Sequence, residues 1–243
     1  MHSNSPTLSK AMLQRVSVVI PAINEERSIA EIIEGCKKVA DEVLVVDGHS
    51  RDRTREISKK LGVKVVLDNK KGKGDAIRVG VEYVSGDVIV FIDADGSHNP
   101  KDIPSLVAPI FSGTADHVTG SRMLGGSDEL HGDIGKFIRM IGSDIITLGI
   151  NYTFNVRLTD SQNGFRAIRT DVAKKLGTRE IITSIEQEMI IRTLALGYRV
   201  TEVGTHEYMR KHGESKIQVS KVAWRYVYSW AKYLFLAKIK RLV

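Results

Sequence analysis

Two carboxylates separated by a single residue, Asp93 and Asp95, follow the apolar run Val88-Ile89-Val90-Phe91-Ile92. A run of β-branched and aromatic residues reads as a buried strand of a parallel sheet. In α/β sheets, ligands bind beyond the carboxyl ends of the strands. At ~4 Å in a partly buried site two such acids repel by roughly 4 kcal/mol. A hard divalent cation, Mg2+ or Mn2+, removes that cost and gives phosphate oxygens a seat. The plainer use of the pair is a surface cap on the next helix.

Other acids stand at equivalent places, Glu25 just after the first apolar run and Asp47 on the second. Carboxylates along one sheet edge suit ribose hydroxyls, a base edge, or a metal carrying a diphosphate. Gly72-Lys73-Gly74 has the make-up of a phosphate-cradling turn, with Lys73 at a helix start. It lacks the spacing of a P-loop or a dinucleotide fingerprint, and an ordinary basic turn is the alternative.

The elements that must position these residues follow from periodicity. Strands are expected at 16–20, 43–46, 63–67, 88–92 and 117–120, alternating with helices at about 24–39, from Ser50 or Asp52 to Leu61, 76–84 and 100–111. That alternation argues for a parallel sheet with right-handed crossovers. Beyond Ser121 the pattern changes. A glycine-rich stretch leads to a long helix over about 134–154, then a polar loop at 160–166 with a possible strand return at 165–168. A helix at 186–196, a strand at 198–203 and a basic loop at 208–216 complete it. The simplest division is a disordered lead at 1–14, one domain at 15–216 and a C-terminal amphipathic helix at 217–243.

With 243 residues the chain is long enough for a full core. Cys36 is the single cysteine, which excludes an internal disulfide and suits a reducing compartment. The polar N-terminus lacks the apolar core of a secretion signal. Net charge is +7, and no acid follows Glu214 while Lys216, Lys221, Arg225, Lys232, Lys238, Lys240 and Arg241 do.

Val219, Val222, Ala223, Tyr226, Val227, Trp230, Tyr233, Leu234 and Ala237 recur in that tail at helical spacing, and Trp224, Tyr228 and Phe235 widen the face. Its charges forbid a spanning helix. The tail therefore fits an interfacial helix on a membrane, or one packed on the domain or a second subunit. Aromatics at burial spacing and acids at the sheet edge argue against nucleic acid as the partner. The histidines 49, 98, 117, 131, 206 and 212 show no ligand spacing and receive no role.

Five segments occur in order: Val18-Val19-Ile20-Pro21-Ala22-Ile23-Asn24-Glu25, Val45-Val46-Asp47-Gly48-His49-Ser50-Arg51-Asp52-Arg53-Thr54, Lys71-Gly72-Lys73-Gly74-Asp75-Ala76, Asp93-Ala94-Asp95 and Gly120-Ser121-Arg122. Together they resemble family 2 nucleotide-sugar glycosyltransferases, in particular the dolichyl-phosphate mannose and glucose synthase branch. The resemblance implies a GT-A type, mostly parallel sheet flanked by helices, covering about 16–216.

It also implies roles. Pro21, Ala22 and Glu25 would hold the nucleoside, and Asp47 the base or ribose. Gly72 and Lys73 would sit by the donor, and Asp93, Ala94 and Asp95 would form the metal-binding segment that positions its diphosphate. Arg122 would face an acceptor phosphate. Asp160 to Arg166, including Gln162, and Glu186-Gln187-Glu188 match the acceptor side. Arg210 to Lys216, including Ser215, match a basic loop closing over the phosphates. Gly48 stands where a second Asp is usual, Ile23 where Tyr is common, and Ser97 where this branch often has a glutamine ligand.

The implied reaction is an inverting displacement at a sugar carbon, from GDP-mannose or a UDP-sugar to polyprenyl (dolichyl) phosphate at the cytoplasmic membrane face. A lipid phosphate is already an anion and needs no general base. A saccharide hydroxyl, the alternative acceptor, needs one, with Asp160, Glu186 and Glu188 as candidates.

Overall fold

The three strands whose ends carry these acids lie side by side with a fourth in the computed structural model, which describes residues 14–129, 134–210 and 219–239. They are β1 (Val16–Ala22), β2 (Glu42–Asp47), β3 (Lys64–Leu67) and β4 (Val88–Phe91), all parallel, in the spatial order β3-β2-β1-β4. The crossovers are α1 (Ile29–Cys36), α2 (Thr54–Lys60) and α3 (Lys73–Tyr83). On α1, Ile29, Ile32, Ile33 and Cys36 recur at three- and four-residue steps and form its buried face. Burial pushes the Cys36 thiol up to about 12, so it stays a thiol and packs as a small apolar group.

The first helix begins later than its sequence suggests, at Ile29 rather than Asn24. Asn24 adopts a positive φ of 56°. The backbone N–H groups of Asn24, Glu25 and Glu26 donate to Ser50 Oγ, Thr54 Oγ1 and Asp52 Oδ2, at 2.9, 2.8 and 3.0 Å. A segment whose donors are tied to the loop after β2 is held out of the helix and against that loop.

The parallel alternation breaks after α4 (Ile103–Phe111). β5 (His117–Ser121) does not join β4, because β6 (Arg166–Arg169) inserts between them, antiparallel to both. β7 (Val200–Gly204) then extends the sheet parallel to β5. Asp116 ties this second half together: its carboxylate accepts from Arg169 Nη1 at 3.0 Å and from Arg199 N and Nε at 2.9 and 3.1 Å.

Two apolar layers cover the sheet faces. One holds α1 and α4, the other α3, α7 (Thr170–Lys175) and α8 (Ile185–Ala195). A third cluster joins α6 (Ile134–Phe154) and α8 to α9 (Val219–Lys238) through Ile146, Ile150, Ile190, Ile191 and Tyr233. Tyr226, Trp230, Tyr233 and Leu234 turn inward, as the helical spacing requires, while Trp224, Val227, Tyr228 and Phe235 remain exposed. The tail is thus a helix packed on the domain that keeps a second, outward apolar stripe. Among the described residues no helix is long and apolar enough to cross a membrane. Most of the N-terminal lead, Ser215 and Lys216 lie outside the described residues.

Candidate active site

The ends of β2, β1 and β4 place Asp47, the Pro21–Glu25 segment and Asp93 to Asp95 along one edge, as neighbouring parallel strands must. Asp47 pairs in register with Ala22. It is fully buried: Oδ1 accepts from Ser50 N at 2.9 Å and faces Arg55 Nε at 3.4 Å. Its Oδ2 is buried without a hydrogen-bond partner among the described residues. An orphaned carboxylate oxygen is costly unless a ligand N–H or O–H completes it. Ile23, half exposed, leans over Gly48, where an added Cβ would lie 3.2 Å from the Ile23 Cβ.

Asp93 and Asp95 follow β4 after Ile92, and each already holds a cation of this chain. Lys73 Nζ lies 2.7 and 3.0 Å from the two oxygens of Asp93 and 2.9 Å from Glu186 Oε1. Burial opposes the Lys73 charge, but Asp93 and Glu186 outweigh it and hold the ammonium well above its ordinary value. Burial likewise opposes ionisation of Asp93, and Lys73 reverses it, so the carboxyl lies below its ordinary range. Glu186 goes the other way, raised by burial that Lys73 only partly offsets. Its Oε2 has no hydrogen-bond partner among the described residues. Asp95 Oδ1 accepts from Ser97 N and Oγ at 3.0 and 2.7 Å, while Oδ2 faces Arg210 Nε at 3.2 Å. Ser97 therefore orients Asp95.

Lys73 owes its place to the glycines around it, though their use differs from a phosphate cradle. At Gly74 an added Cβ would lie 2.1 Å from Glu180 O, and at Gly72, whose φ is +98°, 2.5 Å from Ile181 O. The Gly74 N–H donates to Ile181 O at 3.1 Å. These glycines let the start of α3 press on the 180–181 backbone, which aims Lys73 at Asp93. Gly74→Ala is expected to cost about 1–3 kcal/mol of stability, because a backbone carbonyl cannot move aside as a side-chain tip can. An unchanged urea midpoint in that variant would refute this packing role.

A second ion-pair group borders the first. β5 ends at Ser121, whose Oγ caps α5 (Arg122–Gly125) by accepting from Leu124 N at 3.2 Å. Arg122 forks onto Asp160, with Nε 2.6 Å from Oδ2 and Nη2 3.0 Å from Oδ1, and Nη1 reaches Glu207 at 3.5 Å. Asp160 is buried, which works against its charge, yet Arg122 holds the carboxyl below its ordinary range. Gln162 donates through Nε2 to Ser161 Oγ and Gln187 Oε1 at 2.9 and 3.3 Å. Arg166, fully buried, donates through Nη1 to Glu186 O at 2.7 Å, and burial lowers it to about 10.

Glu188 is also fully buried, accepting from Arg179 N, Glu180 N and Arg192 Nε at 2.9, 2.7 and 2.7 Å. It fixes the segment on which the Gly72–Gly74 turn rests.

A family model described as Glycosyl transferase family 2 matches residues 17–177. The chain belongs to family 2 of the glycosyltransferases. An uncharacterized protein of Methanocaldococcus jannaschii is 30% identical, over 93% of this chain and 97% of that one. The dolichol-phosphate mannosyltransferase of Pyrococcus furiosus is 32% identical over 84% of this chain, which spans 59% of that relative's length. Glucosyl-3-phosphoglycerate synthase from Mycobacterium tuberculosis, solved with Mn2+, uridine-diphosphate and glucosyl-3-phosphoglycerate, superposes with a TM-score of 0.74 at 20% identity, covering 97% of this chain and 86% of that one. The fold is accordingly the GT-A arrangement of a nucleotide-sugar glycosyltransferase.

Of the residues that the sequence motifs single out, the structure gathers Lys73, Asp93 and Glu186 into one ion-pair group, Asp95 and Arg210 into another, and Arg122 and Asp160 into a third. Sequence reasoning missed three participants. Glu207 accepts from Ser127 Oγ at 2.5 Å and faces Arg122, while Glu129 faces Arg210 at 3.5 Å. His98 is buried, stacked on Phe165 at 5.0 Å, and burial lowers its pKa. The signal for His98 was its place three residues past Asp95, on the loop that must turn at the sheet edge.

Proposed function

We propose that this glycosyltransferase moves a sugar, with inversion, from a nucleotide-diphosphate sugar to a polyprenyl phosphate. The observation that carries the reading is the state of the three possible bases. Asp160 is clamped by Arg122 and Glu188 by Arg192 and two backbone N–H groups, while Glu186 is buried with one oxygen held by Lys73. A hydroxyl acceptor needs a free base, whereas a phosphate anion needs cations to bring it near a second anion.

Asp93 and Asp95 would hold Mg2+ or Mn2+: their donor set is hard oxygen. Among the described residues no group of three or more His, Cys, Asp or Glu side chains is placed to hold a metal ion, so donor phosphate oxygens would have to complete its coordination. When bound, the ion supplies charge stabilisation to the leaving diphosphate. Lys73 keeps Asp93 ionised and in place, and Ser97 orients Asp95. Three of the five Arg122 N–H groups serve Asp160 and Glu207, leaving two for an acceptor phosphate oxygen. The attacking phosphate oxygen forms the new bond to the anomeric carbon as the bond to the nucleoside diphosphate breaks on the opposite face.

The exposed apolar stripes support a lipid substrate. On α6, Ile141, Ile145, Leu148 and Tyr152 are exposed at four-, three- and four-residue steps. On α9, Trp224, Val227, Tyr228 and Phe235 are exposed. Basic residues interleaved with such aromatics suit an anionic bilayer surface, at about 1 kcal/mol for each Lys or Arg that reaches it.

One observation favours a saccharide hydroxyl as the alternative acceptor: Glu186, with a raised pKa and a spare oxygen, is the one candidate with base capacity left. A panel of UDP- and GDP-sugars with Mg2+ or Mn2+, scored for released nucleoside diphosphate, separates the two. Release that requires polyprenyl phosphate is expected; release driven by free oligosaccharide, with none from the lipid, would overturn the reading.

A further inference from the structure

The segment after β7 crosses the loop that carries Asp95. Glu207 N donates to Gly126 O at 3.0 Å, Asp128 N donates to Glu207 O at 2.8 Å, and Tyr208 N donates to Ser97 O at 2.9 Å. Arg210 is delivered by this strap to Asp95, its Nε 3.2 Å from Oδ2 and 3.5 Å from Glu129 Oε1. The Nε–H is not aligned into a hydrogen bond with either oxygen. The contact is held by charge, unlike the aligned fork of Arg122 on Asp160, which is buried and bonded at 2.6 and 3.0 Å. Aligned, charge-assisted forks are the strong ones. Of Arg122 and Arg210, the latter is therefore the one able to exchange partners.

We propose that Arg210 is a place-holder on Asp95: in the donor-free enzyme it blocks the acidic pair, and it withdraws only when a nucleoside diphosphate offers it phosphate oxygens. The pair then accepts a divalent cation together with the donor and not before it. Arg210 is a positioning residue in this role, acting through Asp95. The inference rests on the assignment of Asp93 and Asp95 to the cation.

The test is Mn2+ binding to the full chain followed by electron paramagnetic resonance, with Mn2+ alone and with Mn2+ plus UDP or GDP. Arg210→Gln is expected to bind Mn2+ alone about three- to fivefold more tightly than the wild type, the scale of one partly exposed charge pair. The same variant is expected to bind the nucleotide, in the presence of Mn2+, about tenfold more weakly, since a charge-assisted contact to phosphate is lost. Arg210→Lys, which keeps the charge, is expected to hold Mn2+ alone as weakly as the wild type. Opposite signs in one variant are not what a merely structural residue produces. Mn2+ affinity unchanged or weakened in Arg210→Gln overturns the place-holder. Asp95→Asn tells the two failures apart: Mn2+ binding with nucleotide that disappears in it upholds the cation assignment, and binding that persists sinks the assignment and the place-holder together.

Discussion

Asp95→Ala is expected to lower kcat by about 10³-fold while the protein remains folded. The magnitude is that of removing one group aimed at charge that develops in the transition state. Asp95 sits on a loop beyond β4, and its hydrogen bonds within the segment come from Ser97. Deleting the carboxylate therefore leaves the sheet and its apolar layers untouched. It also frees Arg210, which cannot replace a divalent ion at the leaving diphosphate because it brings one charge and no open coordination positions. Single-turnover release of nucleoside diphosphate, beside a thermal melt of the same preparation, measures both halves of the prediction. A rate near that of the wild type in a folded variant would remove Asp95 from the chemistry.

The largest expected loss of stability comes from Asp160→Ala. Arg122 and Asp160 form a buried bidentate pair, and removing the acid leaves a desolvated guanidinium whose remaining ion pair among the described residues is the longer one to Glu207, at 3.5 Å. Breaking such a pair by deleting one partner costs about 3–5 kcal/mol, read as a fall in the urea midpoint. The pH dependence has a definite sign. Burial opposes the Asp160 charge, but Arg122 prevails and the folded pKa is depressed. Its contribution is therefore present above the unfolded value of about 3.9 and is lost as pH falls through the lower folded value. The gap between wild type and Asp160→Ala is expected to be constant near neutrality and to narrow below about pH 4. A gap under 1 kcal/mol at neutral pH would show that the pair is not the clamp its geometry describes.

The Arg122 clamp and the Arg210 contact together say how the site stands before substrate arrives. Every carboxylate that could meet a cation or a proton, Asp93, Asp95, Asp160 and Glu186, faces a basic side chain of the chain itself. Lys73 serves two of these acids at once, so the four carboxylates face three cations.

Local sequence determined the strands β1, β2 and β4, the buried face of α1, the full span of α6 and the acids at the strand ends. Each depends on periodicity or on a chain break read over a few residues. The motif series was also legible, and with it the family, because its order along the chain needs no knowledge of contacts. The tertiary structure alone decided the insertion of β6 between β4 and β5, the use of Gly72 and Gly74 against the 180–181 backbone, and the two faces of α9. It alone decided which acid holds which base: Arg122 with Asp160, Lys73 with Asp93 and Glu186, Arg210 with Asp95. The physical reason is range. Burial pattern and capping act between neighbours and leave a trace in spacing, whereas an ion pair between residues far apart in the chain depends on where the sheet brings them, and a carboxylate looks the same in sequence whichever cation it will meet.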